Sequence, residues 1–122
     1  MLYGAFTPYD LERINKAIEY IKRHYQDSLS TDNISLEVGM DIKQLQTGIQ
    51  LVTGLTIHNY KLKVMIDAAT ADLSDFSRSI GAIAIKHGFS SSTHFAREFK
   101  KRMGLTPKEH RFRLMSTGNN LE

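Results

Sequence analysis

The chain has 122 residues, a formal net charge of +3 and no cysteine, a size that allows one domain or two very small ones with about two-thirds of the unfolded surface buried. Typical α/β enzymes are larger, and the lack of cysteine excludes disulfides, thiolate nucleophiles and cysteine-ligated zinc. No apolar run approaches the ~18 residues of a membrane span, and the opening MLYGAFTPYDLERI lacks a signal peptide's basic flank and apolar stretch, so a soluble, cytoplasmic protein is expected.

Seven helices and an all-α fold are predicted in chain order. Leu11, Ile14, Ala17, Ile18, Ile21 and Tyr25 recur three to four residues apart and mark a helix over about 10–25. Ser30 can cap a short helix over 31–38 that buries Ile34 and Val38 and stops at Gly39. A third, over about 42–52, turns Leu45 and Ile49 inward and ends at Gly54. Thr56 opens a longer one to about 71–73, with Tyr60, Val64, Met65 and Ala68 inside. Ser79 opens SIGAIAIKHG, burying Ile80, Ile83 and Ala84, and Ser91 caps STHFAREFKKRMG, burying Phe95, Phe99 and Met103. TPKEHRFRL places Thr106 at the N-cap, Pro107 at the first helical position and Glu109 at the third, a capping box.

One unit occurs twice. Ile34 and Ile83, and Gly39 and Gly88, are 49 apart. Leu45 and Phe95, Ile49 and Phe99, Gly54 and Gly104, Leu55 and Leu105, and Thr56 and Thr106 are each 50 apart, so the second turn holds one extra residue. A short helix, a glycine turn and a second amphipathic helix form a helix-turn-helix, whose second helix leaves its outer face open to a DNA major groove. Charge follows the second copy. Residues 1–60 carry five Lys/Arg against seven Asp/Glu, residues 61–122 eleven against six, and Lys86 to Arg113 eight against two. Such an excess gathers phosphates, or simply keeps a helical surface soluble.

IGAIAIKHGFSSSTHFAREFKKRMGLTPKEHR, with Ile83-Ala84, Gly88-Phe89, Ser91, Phe95, Arg97, Phe99-Lys100, Gly104, Thr106-Pro107 and Arg111, resembles the signature of the DNA-binding domain of AraC/XylS-type transcription regulators. The resemblance covers about residues 11–114 and implies one DNA-binding domain over 10–114: a first unit over 10–54, a linker helix over 56–73, and a second unit with a closing helix over 79–114. It further implies recognition helices entering successive major-groove segments on one side of the DNA, where a spacing of about 34 Å matches one turn. Family members carry a sensing, dimerising or receiver domain on the N-terminal side, so the chain reads as an excised domain with Leu121-Glu122 as a cloning remnant.

The resemblance maps base contacts to Ser92, Thr93, Ala96 and Arg97, the last able to form a bidentate pair with guanine O6/N7. Ser90, Ser91, Lys100, Lys101, Thr106 and Lys108 are the phosphate candidates. Phe89, Phe95 and Phe99 belong to the core. The first unit departs from the family pattern in DIKQLQTGIQ, with Thr47 for arginine, Gly48 for a larger apolar residue, Ile49 for phenylalanine and Gln50 for a base. Lys43, Gln44, Gln46 and Thr47 can still read a groove, but with less affinity, on a helix softened by Gly48. In the linker, Met65 replaces arginine and Asp72 replaces leucine, which loosens the expected coupling; Asp72 is expected exposed or ending its helix.

Double-stranded DNA is the expected partner, with RNA polymerase as a further one, and neither membrane, cofactor, metal nor catalytic residue is expected. The five histidines, 24, 58, 87, 94 and 110, show no HExxH spacing, paired carboxylates or phosphate loop, and His87 is expected simply to decorate a helix end. The competing function is a protein-interaction domain docking to RNA polymerase or a sensor through its acidic first half, with weak or non-specific DNA binding.

Overall fold

Helix α1 (Pro8–His24) starts where Thr7 accepts from the Asp10 backbone N–H at 3.1 Å while the Asp10 carboxylate accepts from Thr7 N at 3.1 Å. This is a second Thr-Pro-x-acid capping box, two residues before the expected helix start. The computed structural model describes residues 6–27 and 29–120, with side chains through Thr117; the segment before Phe6 and Leu121-Glu122, expected as a cloning remnant, fall outside the described residues. Six further helices follow among these residues: α2 (Thr31–Val38), α3 (Ile42–Thr53), α4 (Ile57–Asp72), α5 (Ile80–Lys86), α6 (Ser92–Met103) and α7 (Pro107–Asn120). The last runs beyond the expected end at Leu114.

Two compact units divide inside α4, between Val64 and Met65. In the first, α1 lays Ile14, Ala17, Ile18 and Ile21 against Ile34 of α2, Leu45 and Ile49 of α3, and Ile57 and Tyr60 of α4. Met40, in the α2–α3 turn, is buried with them. The second unit buries Ala69 of α4, Leu73 just after that helix, Ile83 and Ala84 of α5, and Phe89, Phe95 and Phe99. Ring centroids lie 5.0 Å apart for Phe89–Phe95, 5.6 Å for Phe95–Phe99 and 5.5 Å for Phe99–His110. Met103, expected in this core, is instead exposed at the last position of α6.

The single inner face expected of α4 is also incomplete. Ile57, Tyr60 and Val64 line one side, while Leu62, Ile66 and Ala69 recur on another. At about 100° per residue these two sets do not share one face.

Repeat symmetry holds at atomic detail. Helices α2 and α5 start 49 residues apart, at Thr31 and Ile80, and α3 and α6 share both ends at an offset of 50, which makes Ser90 the extra residue. Phe89 N donates to Ala84 O at 3.0 Å, and its counterpart Met40 N donates to Ser35 O at 3.1 Å. The four positive-φ residues described are Gly39, Gly88, Gly54 and Gly104, with φ of 68°, 91°, 78° and 84°. They close the same two corners in each copy, where an L side chain would be strained.

Gly48 has a packing reason rather than only a softening effect. A Cβ there would lie 2.7 Å from Cγ1 of Ile14, and Ile14 is fully buried. The missing side chain lets α3 approach α1.

Candidate nucleic-acid interface

Ser91 begins α6 by accepting from His94 N at 3.0 Å. With Phe95 and Phe99 fully buried, helical geometry turns Thr93, Arg97 and Lys100 to the opposite side, where all three are exposed; Ala96 is half-buried on the flank, and Ser92, exposed in the first turn, stands three residues before Phe95 on the near side. Among the described residues neither the Arg97 nor the Lys100 side chain has a hydrogen bond or ion pair within the chain. A guanidinium and an ammonium held three residues apart on a fixed helix face, with short hydroxyls one turn before them, suit a narrow polar polyanion rather than an apolar ligand.

The phosphate candidates divide. Lys100 and Lys108 are exposed. Lys101 is exposed too, but sits 3.5 Å from the Glu98 carboxylate one turn back. Ser90 Oγ lies 3.4 Å from His94 Nδ1, and the Ser91 hydroxyl is engaged as the cap. Thr106 accepts from Glu109 N at 3.1 Å and donates its own N–H to Glu109 Oε1 at 2.9 Å, the expected capping box. Those bonds hold the Glu109 carboxyl below its ordinary range.

On α3, Asp41 caps Lys43 N and Gln44 N, and Lys43, Gln44, Gln46 and Thr47 are all exposed. Gln46 and Gln50 edge a groove of about 340 Å³ together with Thr31, Thr56 and His58. Neither Gln50 nor His58 is among the base- or phosphate-contact candidates of the sequence reading. The repeat register contains the missing signal, because they occupy the positions of Lys100 and Lys108.

Two basic side chains of the second unit prove structural. Arg111, in the basic end of the signature, donates to Leu73 O at 3.1 Å, Arg78 O at 2.7 Å and Asp75 O at 3.0 Å, gathering the segment after α4. His87 does not decorate a helix end: it is only 4% exposed, and its Nε2 lies 2.7 Å from Oδ2 of Asp72. Asp72 ends α4 as expected but also accepts from Lys86 Nζ at 3.0 Å, with Arg78 NH1 at 3.9 Å. Hydrogen bonds from His87, then Lys86, lower its pKa from 3.8 to about 2. The turn that precedes α6 is thus tied to the end of α4.

Among the described residues no group of three or more His, Asp or Glu side chains is placed to hold a metal ion, and no helix is long and apolar enough to cross a membrane.

Residues 34–113 match the family model described as a helix-turn-helix domain. An uncharacterized HTH-type transcriptional regulator of Staphylococcus aureus (strain COL) is 32% identical over 100 residues, which cover 82% of this chain and 13% of that protein. The chain thus spans about an eighth of that relative's length. An AraC-type DNA-binding domain-containing transcriptional regulator from Chromobacterium violaceum superposes with a TM-score of 0.79 at 28% identity, covering 84% of this chain and 92% of the other. The DNA-binding domain of the global transcriptional factor AdpA, solved in complex with a target DNA, gives a TM-score of 0.79 over 85% of this chain and 94% of its own; at 14% identity that likeness is one of fold. With its doubled helix-turn-helix and the matched signature, this chain belongs to the AraC-type helix-turn-helix family of DNA-binding transcription regulators.

Proposed function

We propose that the chain, as one DNA-binding domain over residues 10–114, binds duplex DNA sequence-specifically and serves as the output domain of a transcription regulator. The observation that carries this reading is the face of α6: Thr93, Arg97 and Lys100 exposed opposite fully buried Phe95 and Phe99. Arg97, Thr93, Ser92 and Ala96 read base edges, while Lys100, Lys108 and the Ser90–Ser91 start of the helix hold backbone phosphates. Lys101 and Thr106 assist once phosphate competes with Glu98 and with the cap. On α3, Lys43, Gln44, Gln46 and Thr47 form the weaker second reading face. Affinity comes largely from phosphates and selectivity from the groove.

The mechanism contains no bond-making step, so no residue is assigned a catalytic role. A cytoplasmic site of action follows, with a sensing or dimerising domain N-terminal to these residues governing delivery to DNA and RNA polymerase as a partner there. The protein-docking alternative is less favoured, because it leaves the basic α6 face without a role.

A randomised-duplex selection with this chain tests the reading. Enrichment of a defined motif, bound more tightly than a scrambled duplex at physiological salt, is expected. Equal affinity for motif and scramble contradicts it.

A further inference from the structure

We infer that the two units read different bases: α3 selects adenine through the amides of Gln46 and Gln50, whereas α6 selects guanine through Arg97. This rests on the duplex-DNA reading above and adds the chemistry of each half-site. A constant offset of 50 matches α3 to α6 residue for residue. N-caps Asp41 and Ser91, buried Leu45 and Phe95, buried Ile49 and Phe99, and terminal Gly54 and Gly104 all coincide. Their outward positions are therefore matched as well. Gln46 stands where Ala96 does, Thr47 where Arg97 does, and Gln50 where Lys100 does. Where α6 presents a guanidinium and an ammonium, α3 presents a hydroxyl and amides.

That exchange changes which base edge fits. Guanine shows two acceptors, O6 and N7, to the major groove, and a guanidinium supplies two donors. Adenine shows one donor and one acceptor, N6–H and N7, and only a group carrying both, such as a glutamine amide, pairs with them in bidentate fashion. Gln46 and Gln50 are four residues apart, hence one above the other on one helix face, and both are exposed. Neither amide has a partner within the chain among the described residues, so both are available to a base. They also edge the same groove, whose other polar walls are Thr31, Thr56 and His58. Lys43 is the only charged side chain on α3, so base contacts there release few counterions and add little salt dependence.

The inference is tested by randomised-duplex selection and salt titration of the wild-type chain, the Gln46→Ala/Gln50→Ala double variant and Arg97→Ala. All three side chains are exposed, and a thermal melt confirms that each variant is folded. The wild type is expected to enrich one block with adenine and one with guanine. The glutamine variant should flatten only the adenine block, lose about tenfold in target affinity, and keep the wild-type slope of log affinity against log salt. Arg97→Ala should flatten only the guanine block. An adenine block that survives in the glutamine variant, or none in the wild type, overturns this inference while leaving the DNA-binding reading intact. An Arg97→Ala motif identical to wild type overturns the guanine assignment to α6, and only a wild type that enriches no motif at all overturns the DNA-binding reading.

Discussion

His87 Nε2 donates to Asp72 Oδ2 at 2.7 Å, joining the residue that closes α5 to the last residue of α4. Because Asp72 is ionised down to about pH 2, its carboxylate is the acceptor and Nε2 carries the proton. The aspartate at this place fastens the turn that aims α6. A buried imidazole without that partner would lose a hydrogen bond that water cannot replace.

The pKa of Asp72 falls from 3.8 to about 2 on folding. A depressed folded-state pKa contributes stability that is fully present above the unfolded value and is lost as pH falls through the folded one. Asp75 and Glu109 are shifted in the same direction. Asp72→Asn is therefore expected to lower the melting temperature at pH 7 and to show a shallower loss of stability than wild type between about pH 4 and pH 2. Parallel wild-type and variant curves of unfolding free energy across that range would contradict this assignment.

Gly48→Ala sets helix propensity against packing. Alanine gains about 0.5–1 kcal/mol of intrinsic preference, but its Cβ would fall 2.7 Å from Ile14 Cγ1. Ile14 is fully enclosed, and overpacking such a site costs about 1–3 kcal/mol. Net destabilisation in chemical denaturation is expected, with partial rescue by Ile14→Val. A stabilised single variant would show that α1 yields easily.

Arg111 and Lys100 are both basic, yet their substitutions should separate. Arg111→Ala removes three bonds to backbone carbonyls and is expected to cost about 2–3 kcal/mol of stability, with no change in the salt slope of DNA binding. Lys100→Ala should leave the melt unchanged and reduce that slope by about 1. Calorimetry and binding titrations at several salt concentrations check both.

Thr7→Ala and Thr106→Ala each dismantle a capping box. A cost of about 1 kcal/mol apiece is expected in denaturant unfolding, roughly additive because the two caps share no partner.

Local signals were the legible ones. Ser30 and Ser91 as caps, Gly39, Gly54 and Gly104 as stops, and Phe95 and Phe99 as core follow from spacing alone, and all stand in the structure. The doubled unit was legible for the same reason, since a constant offset needs no tertiary knowledge. The Asp72–His87 bond was not, because it joins side chains 15 residues apart across a bend. Burial of Met40 was missed although its counterpart Phe89 was correctly placed in the core; the repeat register carried the information. Arg111 was grouped with the basic end of the signature because composition cannot distinguish a guanidinium facing solvent from one that binds carbonyls. The outward face of α6 was legible because fixing Phe95 and Phe99 inward fixes Arg97 outward.

The decisive titration compares wild type and Arg97→Ala on the selected duplex and on its scramble, at physiological salt, with circular dichroism melts alongside. Arg97→Ala should fold normally, lose about 1–3 kcal/mol on the selected duplex, and approach its affinity for the scramble. A folded Arg97→Ala that discriminates between the two duplexes as sharply as wild type would mean that α6 is not the reading helix.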